Sequence, residues 1–90
     1  MKFIKPTISN IILKSENKQY IDFEHTNPIV NLEQVISFRE LEVTSNGITN
    51  KIPSIRFCTA NPSPIVWCFS NEKDRAENLL HILEVVRLRT

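Results

Sequence analysis

The dipeptide Asn46-Gly47 constrains the fold of this chain more than any other feature. Gly47 is the only glycine, and it lies between two long stretches rich in β-branched and aromatic residues. Both central residues of a type I′ turn need positive φ angles, which Asn and Gly adopt readily. The dipeptide therefore predicts a tight turn between two antiparallel strands, at about residues 35–43 and 48–59.

The turn also predicts which side chains share a face of this hairpin. If Ser45 pairs with Ile48, cross-strand pairing gives one apolar face on which Phe38 lies opposite Ile55 and Ile36 lies opposite Phe57. Leu41 and Ile52 pair with the opposite parity, so the phase must change between them. We expect a bulge or bend near 39–41 and Pro53, because proline cannot donate a ladder hydrogen bond.

A second hairpin is predicted at the proline-rich turn 61–64, with a third strand at about 65–69. If Ala60 pairs with Val66, Cys58 lies opposite Cys68 and Phe57 lies opposite Phe69. The two hairpins, interpreted independently, agree on one apolar face. That face holds Ile36, Phe38, Ile55, Phe57, Trp67 and Phe69. We therefore predict a three-stranded meander with Trp67 in the core.

The upstream sequence predicts another hairpin, with strands at about 8–15 and 19–25 around a turn at 16–18. Alternation in the second of these strands places Ile21 and Phe23 inward. A further short strand is predicted at 29–32. These strands and the meander together suggest one antiparallel, strongly curved sheet of five to six strands.

The segment at about 71–87 is predicted to be helical. Ser70 or Asn71 can cap it, and Glu72 and Asp74 suit the positive end of the helix dipole. An apolar stripe with helical spacing runs along Ala76, Leu79, Leu80, Leu83 and Val86. We expect this stripe to cover the aromatic sheet face, which closes a single α+β domain over residues 1–90.

Charge and hydropathy argue against two classes of partner, nucleic acids and membranes. Eleven Lys and Arg oppose ten Asp and Glu and are scattered along the chain. A nucleic-acid binder usually carries a net basic footprint, so such a partner is disfavoured. The longest aliphatic run is Ile11-Ile12-Leu13, and the first residues lack the apolar region of a signal peptide. We expect no membrane association and a cytoplasmic location.

Few residues suggest chemistry. A cytoplasmic location favours reduced thiols for Cys58 and Cys68, with a cross-strand disulfide or a two-thiolate metal half-site as alternatives. His25 and His81 are the only histidines, and no orienting third group or oxyanion hole is evident for a Cys–His pair. We expect no enzyme activity, no metal and no cofactor.

Five residues make a candidate ligand or partner surface. Tyr20, Asp22 and Glu24 share the outer face of one predicted strand, where a solvated polar face is the simpler interpretation. Arg39 and Arg56, with Arg75 as a further candidate, suggest a small basic patch on the outer sheet face. The simpler interpretation of these arginines is again a solvated face.

A family resemblance rests on three segments, 29–38, 55–57 and 65–72, the last of which leads into the helix. In strand order and apolar pattern the chain resembles small bacterial proteins with a pleckstrin-homology-like (PH-like) fold. The resemblance implies a curved antiparallel sheet closed by a C-terminal helix, trimmed here to five or six strands. That fold hosts lipid, peptide and protein binding alike, so it fixes no function.

The first functional hypothesis is a non-catalytic binding or adaptor domain for a protein partner or a second copy, because exposed sheet edges accept strands. The alternative is a single-stranded nucleic-acid-binding module built from strands and a helix. An enzyme is the third hypothesis and has the weakest support in the sequence.

Overall fold

The computed structural model describes residues 3–14, 21–45, 48–60 and 62–89. The elements in these ranges are β1 (Phe3–Ile4), β2 (Asn10–Lys14), β3 (Ile21–Thr26), β4 (Val30–Asn31), a 3₁₀ turn (Leu32–Gln34), β5 (Val35–Ser45), β6 (Ile48–Thr59), β7 (Ile65–Cys68) and α1 (Glu72–Arg89). Every strand pair is antiparallel. The predicted α+β class with antiparallel strands and one C-terminal helix is confirmed.

The prediction of one strongly curved sheet is wrong. The strands form three separate sheets, which are β1–β4, β2–β3 and the three-stranded order β5–β6–β7. The β2–β3 hairpin does not continue the β5–β6–β7 ladder, because side chains of the segment after β3 occupy the outer edge of β7. The side chain of Asn27, for example, bonds both backbone groups of Cys68. The sequence pattern also missed the two-residue strand β1.

The larger core lies between α1 and one face of β5–β6–β7. Phe57, Trp67 and Phe69 are fully buried there, as predicted, and Phe57 meets Trp67 edge-on with ring centroids 4.9 Å apart. The Trp67 Nε1 donates to the carbonyl of Pro28, so its one polar group is satisfied. Five further buried side chains complete this core: Ile4, Val30, Leu32, Ile55 and Ile82.

A smaller core lies on the opposite face of the same sheet. Ile52 and Cys68 alternate with the residues of the larger core, and they pack against Ile11 of β2. The half-buried Phe23 joins this cluster, as its predicted inward position requires, whereas the Ile21 side chain lies outside the described residues. The three-stranded sheet is therefore covered on both faces, by α1 and by the β2–β3 hairpin.

The β5–β6 register differs from the predicted one. Ser45 pairs with Ile48 as expected, but the register shifts between Val43 and Ser45, close to the turn, and places Phe38 opposite Phe57. The turn residues 46–47 themselves lie outside the described residues. Pro53 stays inside the ladder opposite Glu42, so the bulge expected there is wrong.

Ile36 does not join the apolar face. A second register shift falls between Val35, which pairs with Thr59, and Ser37, which pairs with Cys58. Ile36 is the extra residue of this bulge, and its side chain is 74% exposed. The prediction of an inward Ile36 is therefore wrong.

The β6–β7 register is also displaced. Phe57 pairs with Ile65, and Cys68 pairs with Ser54 rather than with Cys58. The displacement is an even number of residues, so each side chain keeps its predicted face although its partner changes. Among the described residues, the end of β6 pairs only with β5, because β7 does not begin until after Pro64.

Helix α1 is capped as predicted but rotated from its predicted orientation. Asn71 Oδ1 accepts from the Asp74 N–H at 2.8 Å, which caps the N-terminus. The residues that face the sheet are Arg75, Asn78 and Ile82, with Leu79, Val85 and Val86 half-buried beside them. Of the predicted stripe, Leu79 and Val86 are inward, but Ala76, Leu80 and Leu83 are exposed.

The orientation of α1 follows from two inward polar residues, Asn78 and Arg75, which make hydrogen bonds and ion pairs with residues packed beneath the helix. Asn78 is fully buried and exchanges two hydrogen bonds with Thr7, of 2.8 and 2.9 Å. Arg75 bonds the carbonyl of Leu41 and pairs with the carboxylates of Glu40 and Glu42. A search for apolar residues at helical spacing cannot detect a buried helix face whose first two residues are Arg75 and Asn78.

Candidate functional site: the open edge of β5

The two edges of the three-stranded sheet differ. On β7, Asn27 Oδ1 accepts from the Cys68 N–H at 2.7 Å, and Asn27 Nδ2 donates to the Cys68 carbonyl at 2.9 Å. His25 Nε2 lies 2.7 Å from the Val66 carbonyl, an oxygen that can only accept, so this nitrogen donates. These side chains occupy the backbone edge of β7, which leaves little of it for a partner.

The edge of β5 is open by comparison. Within the described ranges the eleven-residue strand β5 pairs only with β6. From α1, Arg75 Nη1 donates to the Leu41 carbonyl of β5 at 3.1 Å. Charged residues on an edge strand discourage indiscriminate pairing, and β5 carries Arg39, Glu40 and Glu42.

An apolar concavity of about 300 Å³ lies beside the start of β5. It is lined by Leu32, Val35, Ile36, Ser37, Phe38 and Val86, a set that we call the β5 cleft. Leu32 is buried and Phe38 is half-buried against the larger core, whereas Ile36 stands in solvent at the rim. The β5 cleft thus presents apolar surface next to an unpaired strand edge.

Of the five predicted surface residues, the structure brings two together. Arg39 pairs directly with Arg56 on the face of the sheet that points away from α1. Glu24 is exposed on β3, opposite Ile12, in a different sheet. Tyr20 and the side chain of Asp22 lie outside the described residues.

Arg75 does not join Arg39 and Arg56. Its guanidinium lies on the α1 side, with Nε 3.2 Å from Glu40 Oε2 and Nη1 3.4 Å from Glu42 Oε1. These contacts fasten the start of α1 to β5. The suggestion that Arg75 extends the basic patch is therefore wrong, and sequence spacing could not have separated the two faces.

A second apolar surface lies on the outer side of α1. Leu80 is 67% exposed and Leu83 is 48% exposed, and with Glu84 and Arg87 they border a hollow of about 410 Å³. The sequence pattern pointed to these leucines but assigned them to the core. This surface has no adjoining strand edge among the described residues that line it.

The cysteines are free and far apart in register. Cys58 is four residues from the Ser54 that faces Cys68, which is about 13 Å along the strand. A disulfide tolerates a Cα separation of roughly 4.4–6.8 Å, so the predicted opposition is wrong. Burial raises the pKa of the Cys68 thiol, partly offset by its hydrogen bond with Ser54, which makes it a poor nucleophile.

The remaining titratable groups are dispersed. His25 stacks on Phe23, with centroids 6.2 Å apart, and His81 is exposed on α1. Among the described residues, no cluster of three or more His, Cys, Asp or Glu side chains could hold a metal ion. The same residues include no helix with the length and apolar character needed to cross a bilayer.

Comparison with known proteins adds no relative. No family model, curated protein or solved structure matches this chain. The resemblance to PH-like proteins stays a prediction.

Proposed function

We propose that this chain is a non-catalytic binding domain that holds an extended segment of a partner protein along β5. The observation that carries the proposal is the apolar β5 cleft next to an unpaired strand edge. Strand addition uses this combination, because main-chain hydrogen bonds supply affinity and a pocket for alternate side chains supplies selectivity.

The apolar contribution centres on Ile36. A partner side chain in the β5 cleft would cover Ile36 and the exposed parts of Val35 and Phe38. Fully burying an isoleucine side chain contributes about 1.5–3 kcal/mol, so one such contact changes affinity by an order of magnitude or more. Because the bulge turns Ile36 away from the core, its side chain is available to contact a partner.

The charges of β5 limit which segments can pair with it. Glu40 and Glu42 are already engaged by Arg75 on the α1 side, whereas Arg39 is exposed on the other side. A cationic side chain opposite Arg39 would be repelled. The edge therefore favours a partner strand that is neutral or acidic at that position.

Site-specific photo-crosslinking in cells tests the proposal. A photoreactive phenylalanine analogue replaces Ile36 in one protein and Ile29 in another, because Ile29 is also exposed, at 53%, but lies outside the β5 cleft. We expect a discrete crosslinked protein from position 36 and none from position 29. Mass spectrometry of the product would then give the crosslinked segment.

A peptide of that segment should bind the purified protein. We expect Ile36→Asp to weaken binding at least tenfold and Ile29→Asp to leave it within twofold, as measured by calorimetry. Equal crosslinking from both positions, or unchanged affinity of Ile36→Asp, would contradict the proposal. A product of twice the chain mass would identify the partner as a second copy, which sedimentation would check.

The single-stranded nucleic-acid alternative draws support from the adjacency of Arg39 and Arg56. Such modules also need exposed aromatic rings for base stacking. Trp67 is buried, and Tyr20 lies outside the described residues. The exposed ring of Phe3 belongs to the β1–β4 sheet rather than to the sheet of Arg39 and Arg56. Salt-dependent retention of the protein on an oligonucleotide column would favour this alternative, and its absence at low salt would exclude it.

A further inference from the structure

The pairing of Arg39 with Arg56 is unfavourable as the protein stands. The two residues are directly opposite each other in the β5–β6 ladder, where like charges repel. The described residues on the same face of β5, β6 and β7 are all uncharged: Ser37, Leu41, Val43, Ile52, Ser54, Cys58, Val66 and Cys68. The two positive charges therefore have no acidic neighbour in the ladder.

The hydrogen bonding of Arg56 also favours an anionic partner. Its Nε is buried and makes no hydrogen bond to the described part of the chain. Buried donors are nearly always paired in folded proteins, so an unpaired guanidinium nitrogen needs an explanation. Arg75 differs, because its buried Nε lies 3.2 Å from a carboxylate oxygen.

Space for a ligand exists beside Arg56. A hollow of about 180 Å³ is lined by Arg56, Cys58, Thr59, Pro62 and Pro64; Arg39 is not part of this lining but pairs with Arg56 across the ladder. This volume exceeds that of a single phosphate or sulfate ion and suits a small oxyanion with a substituent. Arg56 and Cys58 lie on the face of the sheet away from α1, and the hollow shares no lining residue with the β5 cleft.

We propose that Arg39 and Arg56 form a binding site for a doubly charged oxyanion. The planar guanidinium fork matches the oxygen geometry of phosphate and carboxylate groups, and two guanidinium charges are balanced by a dianion. A phosphate monoester and a small dicarboxylate share this chemistry. The site goes beyond the proposed protein binding and would operate whether or not β5 holds a partner.

NMR spectroscopy of the full chain labelled with ¹⁵N tests the site through the arginine Nε–Hε signals. The probes are inorganic phosphate, sulfate and succinate, each compared with sodium chloride at matched ionic strength. We expect saturable shifts of the Arg56 and Arg39 signals with the dianions and only small, linear shifts with chloride. Tighter binding of phosphate would identify a phosphate monoester as the ligand class, and tighter binding of succinate would identify a dicarboxylate.

Variants separate a built site from general electrostatics. Arg39→Gln should weaken dianion binding at least fivefold, and Arg56→Lys should weaken it while keeping the charge. Arg87→Gln removes the same charge from α1, on the other side of the sheet, and should change affinity less than twofold. Folding of each variant is checked from its backbone amide spectrum.

Two results would overturn the proposal. One is an equal response of the Arg56 signal to chloride and to the dianions. The other is unchanged dianion affinity in Arg39→Gln while its amide spectrum remains native. Neither result bears on the β5 cleft, because the crosslinking at position 36 is measured independently.

Discussion

Asn27 shows how much one side chain can contribute to this fold. Its amide is buried, donates to the carbonyls of Ile8 and Cys68, and accepts from the Cys68 N–H. Its own backbone N–H donates to the Ser9 carbonyl at 2.8 Å. One residue thus joins the start of β2, the end of β3 and the edge of β7.

We expect Asn27→Ala to lower the free energy of unfolding by about 2–4 kcal/mol, because it leaves buried backbone groups without partners. Urea denaturation followed by circular dichroism would measure the loss. Asn31→Ala is the matched control, since Asn31 makes an exposed bond to the Glu33 N–H and should cost about 1 kcal/mol or less. A loss for Asn27→Ala as small as that of the control would refute the role given to Asn27.

The sequence predicted apolar core residues far better than polar ones. Strict alternation identified Phe57 and Trp67, because burial of a large side chain leaves a periodic trace in the sequence. Asn27 left none, since an asparagine before a proline is typical of any turn. Its importance depends on where β7 lies in space, which local pattern does not encode.

The face of helix α1 that packs on the sheet contains both polar and apolar side chains. Ile82 is fully buried in the larger core, whereas about half of the side chain of its neighbour Leu83 is exposed. Asn78 and Arg75 complete the inward face through hydrogen bonds and ion pairs. The helix is therefore held by specific polar contacts at its first half and by apolar packing further along.

Alanine substitution distinguishes this orientation from the stripe that periodicity predicts. We expect Ile82→Ala to cost about 2–5 kcal/mol of stability, because it leaves a cavity in the core. Leu83→Ala should cost less than about 1 kcal/mol, since the side chain is half in water. Thermal denaturation of both proteins would decide, and a larger loss from Leu83→Ala would contradict the observed rotation.

The sequence predicted the shared face of Arg39 and Arg56 but not the β5 cleft. Side-chain parity placed Arg39 and Arg56 on the outer face, and the β5–β6 pairing then brought them together. The β5 cleft escaped prediction because it depends on the bulge at Ile36 and on the helix residue Val86. A bulge shifts the register by one residue, and no residue type in this stretch announces it.

The whole molecule is a sheet between two unequal cores. The β2–β3 hairpin rests on the smaller one, where Cys68 packs with Ile11 and Ile52. Three sheets instead of one could not be foreseen, because each predicted hairpin is local whereas their arrangement depends on contacts made by segment 25–28. Hairpins leave a signature in short windows, but the packing between them does not.

Burial of Cys68 in this smaller core predicts a pH dependence. The pKa of the thiol is raised in the folded state, so the folded protein holds the proton more tightly than the unfolded chain does. The resulting stability is fully present below the unfolded pKa, about 8.5, and is lost as pH rises through the folded pKa. We expect the free energy of unfolding to fall between pH 7.5 and 9.5.

Denaturation of three proteins at both pH values isolates the effect. Cys68→Ala should show a smaller decline than the wild type, and Cys58→Ala should keep the wild-type decline. An identical pH dependence in Cys68→Ala would mean that the buried thiol makes no contribution.

The bonds between Thr7 and Asn78 have a consequence for biosynthesis. The two residues are 71 positions apart in the sequence and exchange two hydrogen bonds in the folded protein. A nascent chain cannot form this contact until α1 has emerged from the ribosome, so the first residues wait while the rest is translated. Stalled intermediates that end before α1 should accordingly be open to proteases and chaperones along their early strands.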